Sequence, residues 1–87
     1  MAKSSKASSR IRIRWIKSER AWGYADHSKR TIYLDRRMDD RALLNTAGHE
    51  VAHVCFPFLD EAATVEFGNQ LEDVLHRLGF RRTEEKD

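Results

Sequence analysis

Two histidines four residues apart, with a glutamate directly after the first, stand in the stretch GHEVAHV at positions 48 to 54. On an α-helix, positions i and i+4 lie one turn apart and only about 40° out of register, so the imidazoles of His49 and His53 point into one small volume. Two neutral ring nitrogens held that way suit zinc, which takes them at about 2.0–2.1 Å. A catalytic site then needs a third protein ligand and an open position for water. Glu50 falls about 100° around the helix from His49. It is poorly placed to share the ion and well placed to take a proton from water, the general-base role. At this chain's own His and Glu frequencies a chance H-E-x-x-H is roughly a 1% event. The bland alternative is a hydrogen-bonded histidine pair beside a surface glutamate.

The third ligand has to come from downstream. Glu61 and Glu66 are the nearest carboxylates, with Glu72 and Asp73 further along. Relative to an apolar stripe centred near Phe67, Leu71 and Leu78, Glu61 lies about 90° to one side and Glu66 further round towards solvent. The expected set is therefore His49, His53 and Glu61 holding one Zn2+ per chain, with Glu66 as the alternative to Glu61. Gly68 lies on the same flank as Glu61. A glycine inside a helix costs about 1 kcal/mol unless something needs the space, and close approach of the histidine helix would be such a need.

These residues require positioning elements, and the pattern supplies them. IRIRWI at 11 to 16 alternates, with Ile11, Ile13 and Trp15 on one side and Arg12 and Arg14 on the other, the period of a strand with one buried face. Trp22 and Tyr24, on either side of Gly23, mark a short second strand, and TIYL at 31 to 34 reads as a third. Asp39 or Asp40 caps a helix that runs to about Phe56, where Pro57 prevents its continuation. Leu43, Leu44, Ala47, Val51 and Val54 form its apolar stripe, and His49 and His53 fall nearly opposite with Ala42 and Thr46. Asp60 caps a second helix that Gly79 ends, with Phe67, Leu71, Val74, Leu75 and Leu78 as its buried stripe. The expected fold is α+β, a small antiparallel sheet packed on two main helices, in one domain over residues 10 to 80. Residues 1 to 9 read as a disordered basic tail and 81 to 87 as a charged, frayed end.

With 87 residues, 40% of them hydrophobic and 34% charged, the chain suits one small globular domain, for which a bound metal would add useful stability. No run approaches the roughly 18 apolar residues of a membrane span, and no apolar stretch follows the basic N-terminus as in a signal peptide. A lone cysteine, Cys55, agrees with a reducing compartment and reads as a buried small hydrophobe. The expected location is the cytoplasm, with no membrane partner. The net charge of +2 hides an asymmetry: residues 1 to 41 carry twelve Lys/Arg against five Asp/Glu, and residues 42 to 87 four against nine. The acidic half, which holds HEVAH, favours a cation.

From Ile11 to Gly79 the chain resembles the minimal zincin-type metallopeptidases, and within them the gluzincin pattern of two histidines and a glutamate. A strand ending in the phrase Ile32, Tyr33, Leu34, Asp35 precedes HEVAH, and EAATVEFGNQL from Glu61 to Leu71 is similar to the third-ligand helix of ImmA/IrrE-type peptidases. Only seven residues separate His53 from Glu61, and no downstream histidine phrase of the SprT-like or metzincin kind is present. The resemblance implies a zincin-like fold with His49, His53 and Glu61 as ligands, Glu50 as base, and a peptide or protein substrate.

Such an enzyme needs a donor for the oxyanion of its tetrahedral intermediate, and Tyr24, His27 and Tyr33 are the candidates. A sheet edge near Thr31 to Leu34 is expected to hold an extended peptide by strand addition. His76 is accounted for by its place at a helix C-terminus. Two other functions compete with hydrolysis: a non-catalytic binding or regulatory module that keeps zinc for stability, and a small nucleic-acid binder using Arg10, Arg12, Arg14, Lys17 and Arg20. The second is disfavoured because the alternation sends Trp15 to the side opposite Arg12 and Arg14, so Trp15 cannot stack a base beside those contacts.

Overall fold

The computed structural model describes residues 9–83 and contains three strands and two helices: β1 (Arg12–Ile16), β2 (Gly23–Asp26), β3 (Thr31–Asp35), α1 (Asp40–Cys55) and α2 (Glu61–Arg77). The basic stretch 1 to 8 and the acidic end 84 to 87, both expected to be tails, lie outside the described residues. The fold is α+β as expected, with one correction to the sheet. Its strand order is β1-β3-β2, β2 pairing antiparallel to β3 and β1 pairing parallel to it. The sheet is mixed because the most apolar strand, TIYLD, takes the centre, where four of its five residues are buried, while the arginine-bearing and the short strand occupy the edges. Asp35 locks this order. Its buried carboxylate accepts from the Ser18 backbone amide and from the amide and guanidinium of Arg37, and Arg37 also donates to the Ser18 carbonyl.

The layers run sheet, α1, α2. Both helices begin at the expected caps: Asp39 accepts from the Ala42 amide and Asp60 from the Ala63 amide. After α2, Gly79 takes φ +98°, the left-handed stop. The core lies between sheet and α1, where Ile32, Leu34, Met38 and Val54 are buried with Ala25, Ala42, Leu43, Ala47 and Val51 against them. Ala42 thus joins the sheet side of α1, and Thr46 abuts Gly23, although both were placed on the histidine face.

Several burial expectations fail for one reason, that each layer is narrower than the next requires. Ile13 and Trp15 do share the helix-facing side of the sheet with Ile32 and Leu34, but α1 covers β2 and β3 and leaves β1 bare. Ile13 is 56% and Trp15 39% exposed. Trp15 is flanked instead by the guanidinium groups of Arg36 and Arg82. Arg82 also donates to the Arg36 and Met38 carbonyls, so the start of the C-terminal end is tied down rather than frayed. On α2 the buried line is Thr64 and Gly68, while Phe67, Val74 and Leu78 stay exposed. The helix is rotated by roughly 60° from its apolar stripe, which leaves Leu71 and Leu75 half-buried, drawn by a glycine crossing and a polar seam described below. Cys55, expected in the core, is exposed. No helix among the described residues is long and apolar enough to cross a membrane.

Candidate metal centre

The helix carrying HEVAH presents three directions. Leu43, Ala47 and Val54 face the sheet, Asn45, Gly48 and Ala52 face α2, and His49 and His53 occupy the flank between. That flank opens between α2 and the free edge of β2. The helices cross where Gly48 meets Gly68: a Cβ on Gly68 would stand 2.9 Å from the Asn45 carbonyl oxygen and 3.4 Å from the His49 Cβ. Gly68 is therefore glycine because the histidine helix passes there. Beside the crossing, the Asn45 amide donates to Asn69 and Glu72, and Arg41 pairs with Glu72.

This close approach brings the first residue of α2 onto the histidines. The Nε2 atoms of His49 and His53 are 3.1 Å apart, and the two carboxylate oxygens of Glu61 lie 3.3 Å from them, Oε2 by His49 and Oε1 by His53. Four donors tetrahedrally arranged at about 2.05 Å from an ion are separated by about 3.3 Å, so the three spacings are each of the size that neighbouring zinc ligands take. They form a group of ligand-bearing side chains that could hold a metal ion. The remaining acids have other partners: Glu66 is bonded by Gln70, Glu72 by Asn45 and Arg41, and Asp73 by Arg77. Between Glu61 and Glu66, which the sequence left open, Glu61 is the one brought to the histidines.

Thr64, which the sequence reading passed over, is fully buried one turn along α2. Its hydroxyl lies 2.8 Å from the Glu61 carbonyl and 3.5 Å from Glu61 Oε1, under a side chain that is otherwise 69% exposed. A buried hydroxyl three residues after a helical acid is a spacing readable in sequence, but only once that acid is known to matter.

Glu50 points from α1 towards the edge of β2 and is 7% exposed. Burial raises its pKa above the ordinary carboxylate value, while the two histidines beside it oppose the rise. It lines an open cleft of about 480 Å³ with His53, Pro57, Gly23, Tyr24, Ala25 and His27. Of the three oxyanion candidates, Tyr24 and His27 border this cleft. Tyr33 does not. It lies on the sheet face away from α1, its ring stacked on that of Tyr24, because alternation along β3 gives the helix side to Ile32 and Leu34. The stretch expected to accept a peptide strand, Thr31 to Leu34, is central and paired on both sides, and the free edge at the cleft belongs to β2. No protein-family model matches the sequence, and no curated protein or solved structure matches the chain.

Proposed function

We propose that the chain is a zinc-dependent peptidase of zincin-like design, with His49, His53 and Glu61 holding one zinc ion and Glu50 acting as general base. The observation that carries this reading is a pair of imidazole nitrogens 3.1 Å apart, each with an oxygen of one carboxylate at 3.3 Å, beside a buried acid at the wall of an open cleft. When bound, zinc supplies Lewis acidity towards a peptide carbonyl and lowers the pKa of water. Glu50 accepts the proton of the attacking water at its carboxylate and returns it to the leaving amine nitrogen. Thr64 steadies the Glu61 carboxylate. An extended peptide lies along the free edge of β2, its scissile bond over Glu50, with His27 next to the developing oxyanion, since the Tyr24 ring is stacked on Tyr33 on the other face of the sheet.

A second reading keeps the metal for stability alone, and it is favoured by the position of the three ligands at the α1–α2 crossing, where an ion would staple two layers of a small domain. Glu50→Gln separates the two. Hydrolysis requires that this variant retain its zinc and lose at least about 100-fold in turnover on an unstructured peptide. Unchanged or absent turnover in both proteins, at equal zinc content, would leave stabilisation as the function.

A further inference from the structure

We propose that the sheet face turned away from the helices binds single-stranded nucleic acid, with Arg12 and Arg14 on the phosphates and the Tyr24–Tyr33 pair continuing the base stack. The objection raised by the sequence was that Trp15 lies opposite the arginines, which the structure upholds. The strand register, however, supplies other aromatics on the arginine side. Arg14 is level with Tyr33, and Tyr33 with Tyr24, so one row across three strands reads Arg14, Tyr33, Tyr24. The next row reads Arg12, Thr31, Asp26.

These residues share a face because Ile32 and Leu34 take the other one. That face has no second layer: α1 packs on the opposite side and α2 does not reach the sheet. The tyrosine rings stack with centroids 4.3 Å apart and planes 15° from parallel. Tyr24 is 53% exposed, so a base can add to the stack, an arrangement tolerant of base identity because every base has a π-face. Arg10, Arg12 and Arg14, together with Ile11 and Ile13, line an open groove of about 510 Å³ along the edge strand β1. Among the described residues none of the three forms an ion pair with a carboxylate. Asp26, held by Ser28 and the Lys29 amide, and Asp35, paired with Arg37, bound the platform at its edges.

Charge selects the occupant. A polyanion with flat bases satisfies both the guanidinium groups and the exposed ring. Double-stranded forms hide their bases from such a surface, and single strands present them.

The test is fluorescence anisotropy of short labelled oligouridylate and oligothymidylate at low salt. Binding of either polymer, weakening with salt at a log–log slope of about −2 for three phosphate contacts, is expected. Arg14→Glu should shrink that slope. Tyr33→Leu, with its fold checked by circular dichroism, should weaken binding roughly ten-fold, and Glu50→Gln should leave it unchanged. The last result separates this surface from the proposed peptidase, since binding would survive even if no hydrolysis were found. Absence of binding to both polymers at low salt would overturn the proposal. So would equal affinity for polyglutamate together with indifference to Tyr33→Leu, which would mark a site for acidic peptides.

Discussion

At the residue scale, the site depends on which carboxylate reaches the histidines. Glu61 stands 3.3 Å from each imidazole and Glu66 is engaged by Gln70 on the outer side of α2. Glu61→Gln should therefore weaken zinc binding by at least ten-fold in a competition titration with a chromogenic chelator, and Glu66→Gln should leave it unchanged. Thr64→Val keeps the shape of a buried side chain while deleting its hydroxyl, so it should fall between the two. Asp35 tests a different residue-level claim. Hydrogen bonds from Arg37 hold its carboxyl well below the usual carboxylate range, against the opposing effect of burial. Stability from a depressed carboxylate is complete above the unfolded pKa of about 4 and drains away as pH falls through the folded value. Urea midpoints should therefore decline on acidification below about pH 4. The Asp35→Asn variant should start lower at neutral pH and show a flatter acid limb.

At the scale of elements, the α1–α2 crossing brings Glu61, the proposed third ligand, to the histidines. A methyl on Gly68 meets backbone, the Asn45 carbonyl at 2.9 Å, while one on Gly48 meets the tip of Leu71, which can rotate aside. Gly68→Ala should cost about 1–3 kcal/mol from overpacking, outweighing the roughly 1 kcal/mol gained in helix propensity, and should weaken zinc binding by carrying Glu61 outward. Gly48→Ala should be close to neutral. Chemical denaturation and a zinc titration of both variants check this. Caps and breakers made these helices legible: Asp39, Asp60, Pro57 and Gly79 each act locally, so their effect is written in adjacent residues. Sheet order was not legible. IRIRWI alternates identically whether it pairs parallel or antiparallel, and β1 is placed beside β3 by contacts distant in sequence, among them the backbone pairing itself and the bond from the Ser18 amide to Asp35. The rotation of α2 was hidden for a similar reason. Periodicity marks Phe67, Val74 and Leu78 as an apolar stripe, but small side chains at Gly48 and Gly68 and the Asn45–Glu72 seam decide which side approaches α1. The facing of Tyr33, on the side of the sheet away from Glu50, was not legible because it depends on which neighbours of β3 take the core.

At the scale of the molecule, three thin layers leave a small core. The buried hydrophobic side chains are Ile32, Leu34, Met38, Ala52 and Val54, while Phe58, Leu78 and Phe80 remain exposed. In such a domain a ligand that joins two layers has a large effect. Zinc present at about 100 times its dissociation constant adds about 2.7 kcal/mol to the folded state, equivalent to roughly 10–20 °C in melting temperature for a domain of this size. Chelation should reverse the shift. The charge asymmetry has its own geometry: the acidic half contributes Glu61 and Glu50, the proposed ligand and base, and the basic half contributes the open sheet face with Arg12 and Arg14.

The most direct test is a calorimetric titration of zinc into chelator-stripped protein, run in parallel on wild type, His49→Ala and Glu61→Gln, each confirmed as folded. One site per chain in the wild type, no comparable site in His49→Ala and a weakened one in Glu61→Gln are the predicted results. A wild-type isotherm that the two variants reproduce unchanged, or that shows no heat of binding at any concentration, would contradict the account.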